Sequence, residues 1–395
     1  MNAQSKLAEL VASKRVVVCV GSGGVGKTTT SAVIALHAAM QGRRVLVLTI
    51  DPAKRLANSL GIDALSNDVT RIPIEKFRDI GLEPKGELWA MMLDMKESFD
   101  HVVRRYAPAK ERKAILENRI YQYFSTSLAG TQEYAAAERL YELYEEGNFD
   151  LIVLDTPPTT HALDFLEAPK RLEDAVDNKA LYWLFKPGML AGRTGLGVFS
   201  TGTAYVFKTL SKFTGAELLE EFSTFLKNFA VLFEGLKERS RRVRKLLTGP
   251  ESTFVVVTAP EASSLEEALY FHKKLGDEEV QVGGFVINRV RTAWVDAEDA
   301  RMPAVSVVHH LAESGHAVDH LSPEDLRDLA GKLLKNAQES AVLAEVDNNS
   351  IEVLRRAISR NTPIQRVPFF STDIHSLRGL NLVRTSLFAE HTRTP

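Results

Sequence analysis

Cysteine is almost missing from this chain, with Cys19 the only one among 395 residues. One thiol cannot close an internal disulfide or build a cysteine-based zinc site. Cys19 lies in an apolar run ahead of a Gly-rich loop, where a small buried hydrophobe is expected. Long hydrophobic runs are missing too. The least charged stretch, between Arg193 and Lys208, is rich in Gly and Thr and falls short of the roughly 20 apolar residues of a membrane span. Nor does either sign of charge dominate: 49 Lys and Arg against 51 Asp and Glu give a net charge of −2. No overall basic field therefore draws the protein onto nucleic acid or an anionic membrane. The polar start, Met1 to Lys6, leads into a strand pattern and does not read as a signal peptide. A cytoplasmic globular protein is the expectation.

What is present is a repeated alternation of short apolar runs with helical patterns. Arg15 to Val20, Val45 to Ile50, Leu151 to Asp155 and Thr253 to Thr258 read as buried parallel strands, and Gly284 to Asn288 resembles them. This order predicts an α/β domain, a mostly parallel sheet covered by helices on both faces. The length suits a single domain over 1–395 with insertions. An inserted α-helical subdomain is expected at about 169–249, with a further helical insertion at about 67–148. A third interval, about Val307 to Ser359, is helical and charged and is expected to cover one edge of the sheet.

Gly21 to Thr28 fits G-x-x-x-x-G-K-[ST], with a strand before it and a helix after it, the setting of a P-loop. Gly23, Gly24, Val25 and Gly26 let backbone N–H groups converge on phosphate oxygens. Lys27 is placed to reach the β- and γ-phosphates of ATP. The Thr28 hydroxyl suits Mg²⁺, which prefers oxygen ligands, and Thr29 with the helix N-terminus completes the anion site.

Two carboxylates end strands on the side where α/β sheets hold their ligands. Asp155 suits the Walker-B task of holding Mg²⁺ through water, and Asp51 suits orienting and deprotonating the attacking water. Pro52, Pro157 and Pro158 stiffen the turns that follow, as γ-phosphate sensors require.

Gly23 to Thr28, Ile50-Asp51-Pro52-Ala53 and Asp155-Thr156-Pro157-Pro158-Thr159-Thr160-His161-Ala162-Leu163 resemble the P-loop, switch I and switch II of the ArsA/Get3 ATPases. These are the arsenical pump-driving and tail-anchored-protein-targeting members of the deviant-Walker P-loop class. Thr258-Ala259-Pro260-Glu261, Val286-Ile287-Asn288 and Val367-Pro368-Phe369-Phe370 continue the likeness in order. The resemblance implies an ATPase that forms a homodimer, or a heterodimer with a paralogue, and couples hydrolysis to a helical client-binding region. It implies that Asn288, Pro368 and Phe369 hold adenine. The family's signature lysine falls at Ser22. No Cys-x-x-Cys pair exists to bridge a dimer through zinc, and one thiol cannot make the family's arsenite site.

Phe222, Phe225, Leu226, Phe229, Leu232, Phe233 and Leu236 recur at helical spacing and fit either subdomain core or a groove for an apolar client helix. The basic cluster Arg239, Arg241, Arg242, Arg244 and Lys245 fits a solvated helix face, or contact with acidic lipid or nucleic acid. Two other functions share these motifs: a ParA/MinD-like positioning ATPase, and a nucleotide-sensing scaffold with little hydrolysis.

Overall fold

The computed structural model describes residues 6–50, 55–127, 131–157, 166, 167, 170, 235, 237–293, 295, 302–313 and 321–388. The five apolar runs form the middle of one sheet: β1 (Val16–Val20), β2 (Arg44–Thr49), β5 (Leu151–Asp155), β6 (Ser252–Thr258) and β7 (Val282–Val290). They read as continuous apolar runs because helices cover both faces and leave few positions on them for polar side chains. Three further strands complete the sheet: β3 (Thr70–Arg71), β4 (Glu87–Met92) and β8 (Ile364–Pro368). The order is β3-β4-β2-β5-β1-β6-β7-β8, with only the short β3 antiparallel to its neighbour. This is the P-loop α/β architecture expected.

Alternate residues of β1 serve opposite faces, as the pleat demands. Val16, Val18 and Val20 pack on one side with Leu140, Leu265 and Leu354. Val17 and Cys19 pack on the other with Ile34, Leu36 and Leu380. The helices that supply these faces include α1 (Lys6–Ser13), α2 (Lys27–Met40), α3 (Arg55–Leu60) and α4 (Ile74–Arg78).

The interval 67–148 differs from a purely helical insertion. It holds α4, α5 (Met95–Tyr106), α6 (Ala109–Leu116), α7 (Arg119–Ser127) and α8 (Thr131–Glu146), but also gives β3 and β4 to the sheet. β4 reads Glu-Leu-Trp-Ala-Met-Met, without one β-branched residue, so its sequence hides it. Its Trp89 meets Phe149 edge-on at 6.1 Å, with the Arg44 guanidinium 5.2 Å from the indole. The charged interval after Val307 is α10 (Ala304–Glu313) and α11 (Pro323–Ala357), which follow α9 (Ala262–Asp277). Ile351 and Leu354 of α11 are buried in the core of one face, and its Asn348 and Glu352 meet Arg366 of the edge strand β8, so this interval packs over the sheet at that edge.

Most of 169–249, including the Phe and Leu series from Phe222 to Leu236, lies outside the described residues. Residues 237–248 are helical, and Arg241, Arg242 and Lys245 form the exposed helix face expected of the basic cluster, while Arg239 departs from it. The Arg239 side chain is only 12% exposed. Its Nε donates to Glu138 at 2.8 Å and its Nη1 to Glu145 at 2.9 Å, while Tyr141 lies 4.8 Å from the guanidinium. Arg242 pairs with Glu238 and Arg244 with Glu278. Arg239 thus binds this helix to α8 and Arg244 binds it to the end of α9, while the Arg242 pair stays within the helix.

The last helix, α12 (Leu377–Phe388), packs on α2, and there His37 stacks on Phe388 with ring centroids 3.7 Å apart and planes at 7°. Burial, and then the charge of Arg384, lower the His37 pKa to about 4. The folded state therefore takes up fewer protons than the unfolded chain between about pH 4 and 6.5. Stability from His37 is present in full above pH 6.5 and is lost as pH falls towards 4. Urea unfolding at pH 7.5 and pH 4.5 should show a loss of up to about 3 kcal/mol on acidification, reduced in His37→Phe.

Candidate nucleotide site

β1 ends in the centre of the sheet, and the loop that leaves it turns directly into α2. Two of its glycines are imposed by close approach. At Gly21 (φ 152°) an added Cβ would lie 1.9 Å from the Val257 carbonyl oxygen. At Gly26 (φ 97°), the residue before α2, it would lie 2.2 Å from Asn288 Nδ2. That nitrogen donates to the Val25 carbonyl at 2.8 Å, which ties the loop to β7. The unpaired N–H groups at the start of α2 and its dipole favour an anion at this end.

Asp155 ends β5, beside Cys19 of β1 and Thr49 of β2 in the sheet register, and is fully buried. Its Oδ2 accepts from Thr28 Oγ1 at 2.7 Å and from Thr49 Oγ1 at 2.9 Å. Lys27, also buried, donates through Nζ to the Gly21 and Ser22 carbonyls at 3.0 and 2.8 Å. The Ser22 hydroxyl is buried with no hydrogen-bond partner among the described residues. Cys19 is inert, its thiol pushed up to about 12 by burial, and its carbonyl accepts from Thr156 Oγ1 at 2.7 Å.

A cleft of about 240 Å³ opens over the loop, lined by Gly23, Gly24, Lys27 and Thr28 with Arg55 and His375. Beside it is a cavity of about 400 Å³ lined by Asn288, Pro368, Phe369 and Phe370. Gly26, Thr29, Arg289 and Ile374 belong to both walls. The structure thus gathers the loop residues, Thr28 with Asp155, and Asn288 with Pro368 and Phe369, around one continuous depression. Asp51, Pro52, Pro158 and His161 lie outside the described residues.

Sequence reasoning missed Thr49, Arg55, Arg289 and His375. Thr49 had a readable signal, a hydroxyl at the end of an apolar strand just before Asp51. Arg289 had none. Among the described residues no cluster of three or more His, Cys, Asp or Glu is set to hold a metal ion, and no helix is long and apolar enough to cross a membrane.

Comparison with known proteins agrees with this geometry. A family model described as "Anion-transporting ATPase" matches residues 14–302. The chain is 29% identical over 276 residues to the "ATPase ASNA1 homolog" of Cryptosporidium parvum, covering 68% of this chain and 63% of that one. It is 27% identical over 271 residues to "ATPase get3" of Schizosaccharomyces japonicus, covering 68% and 72%. With the "Putative arsenical pump-driving ATPase 1" of Aquifex aeolicus it shares 26% over 269 residues, covering 65% and 59%. The match thus spans less than two thirds of the first and third of these relatives.

Gly26→Ala should destabilise the protein by about 2 kcal/mol in urea unfolding, because it adds a left-handed alanine and displaces Asn288. Gly24 also has positive φ (78°), but nothing lies within 4 Å of its added Cβ, so Gly24→Ala should cost about half as much. Equal losses would show that the Asn288 contact is not what requires glycine at position 26.

Proposed function

The chain belongs to the anion-transporting ATPase family, and on that premise we propose that this ATPase is a dimeric switch that couples binding and hydrolysis of Mg-ATP to a protein client or partner. The observation that carries the reading is the convergence of Thr28 and Thr49 on Asp155 Oδ2, next to Lys27 at the mouth of the cleft.

ATP lies across the two connected depressions. Lys27 exchanges its two carbonyl partners for β- and γ-phosphate oxygens, a swap between acceptors that leaves its ammonium satisfied. The N–H groups of the loop and of the first turn of α2 hold the phosphate tail. Asn288 keeps its Nδ2 on Val25, so its Oδ1 is left to accept from the adenine amino group. Phe369, 61% exposed at the rim, offers a ring face to the base, with Pro368 beside it.

The donors fit Mg²⁺, which takes oxygen ligands and is usually held by one or two side chains with phosphates and water completing its shell. Thr28 would bind it directly and Asp155 through water, and the ion would neutralise charge on the β- and γ-phosphates. Asp51 orients and deprotonates the attacking water. The Arg239–Glu138 and Arg244–Glu278 pairs commit two residues of the basic cluster to the protein's own acids, which weakens the case for a nucleic-acid or membrane-positioning role.

Phosphate release with Mg-ATP tests the chemistry. Asp51→Asn should keep ATP affinity and lose turnover by about 100-fold or more, whereas Lys27→Ala should lose ATP binding itself. Sedimentation of Asp51→Asn with Mg-ATP should show a dimer that Lys27→Ala does not form. Wild-type phosphate release no higher than that of Lys27→Ala would leave a nucleotide-sensing scaffold in place of an active hydrolase.

A further inference from the structure

β7 breaks its own alternation at the residues that line the nucleotide cleft. Against β8, Ile287 faces Arg366 and Val290 faces Pro368, so Asn288 and Arg289 together oppose only Val367. In a regular strand these two neighbours would point to opposite faces of the sheet. The extra residue makes a bulge, the usual device for re-aiming a side chain beside a site. Here both side chains line the same cavity.

The bulge depends on an unusual backbone. Arg289 has φ 60°, one of only two positive values among the described non-glycine residues. The other, Glu279, follows the end of α9, where its N–H bonds to the Gly276 carbonyl and a left-handed residue is routine. Arg289 has no helix end to explain it. Asparagine or glycine tolerates this conformation, and an arginine there is a strained choice that calls for a gain elsewhere. Among the described residues its guanidinium makes no hydrogen bond or ion pair, and its residue is exposed at the junction of cleft and cavity.

We propose that Arg289 binds the middle of the nucleotide, at the α-phosphate and ribose, and joins the base cavity to the phosphate loop. This rests on the nucleotide reading of the site and specifies a contact which that reading lacks. The position follows from the two walls. Lys27 and Thr28 mark the phosphate tail and Asn288 marks the base, and Arg289 is shared between them. A guanidinium presents paired donors that match phosphate oxygens, and it keeps its charge at every working pH. A contact at the α-phosphate holds ADP and ATP alike, so it sets affinity for both and leaves their discrimination to the phosphate-loop end of the site.

Calorimetric titration of the purified full chain with Mg-ADP and Mg-ATP tests this, with thermal unfolding of the nucleotide-free protein alongside. Arg289→Ala should weaken both nucleotides by a similar factor, about tenfold or more. Arg289→Gly should weaken them equally yet unfold at a higher temperature than Arg289→Ala, because glycine accepts the left-handed backbone. The glycine variant keeps the test available if the alanine variant folds poorly. Wild-type affinity in either variant overturns the proposal. So does a loss confined to ATP, which would place the guanidinium at the γ-phosphate. Failure of the wild-type protein to bind either nucleotide would instead overturn the function on which the proposal rests.

Discussion

Two threonine hydroxyls reach a single oxygen of Asp155, one from the helix that follows β1 and one from the end of β2. Asp155 itself ends β5, which lies between those two strands. A carboxylate with no exposed surface has to be held by hydrogen bonds, since a buried charge without partners is very costly. The bonds to its Oδ2 therefore also fix three strand ends relative to one another. The start of α2 and the end of β2 take their relative positions from this shared acceptor.

A second set of polar contacts holds the other end of the helical layer. Glu138 and Glu142 are buried on α8, with Arg239 on the first and Arg105 and Arg139 on the second. Such pairs add little net stability over an apolar contact but tolerate no loss of one partner. They specify which helices meet. Through Arg239, the end of the 169–249 interval is joined to α8, and α8 leads into β5 and Asp155.

How legible each part was in the sequence follows from its surroundings. β1, β2, β5, β6 and β7 are covered on both faces, and burial leaves an apolar run that can be read directly. β4 fills a similar place with Leu88, Trp89, Ala90 and Met91, of which Trp89 alone favours strands, so its sequence carries little strand signature. β8 is a short edge strand ending in Pro368, where a missing N–H costs nothing because no further strand pairs beyond it. The phosphate loop and Asp155 were legible because backbone geometry demands glycine, lysine and threonine at fixed spacing. Thr49 offered only a hydroxyl at a strand end, and Arg289 no signal at all. One needs the register of β2 against β5, and the other needs a bulge, and both arise only when strands pair.

The segment from Phe369 to Ile374, which supplies the outer wall of the cavity beside the cleft, is anchored on both sides. Before it, the Phe369 N–H bonds to the Val290 carbonyl at the end of the bulge. After it, α12 lies against α2, with Phe388 stacked on His37 one helix away from the phosphate loop. The chain thus makes a strap over that cavity, buckled at one end to β7 and at the other to the helix that begins with Lys27. A free loop of this length would have to be ordered by each arriving nucleotide, at the cost of its conformational entropy. This one is tied at both flanks when the domain folds, so part of that cost is met before any ligand enters the cavity.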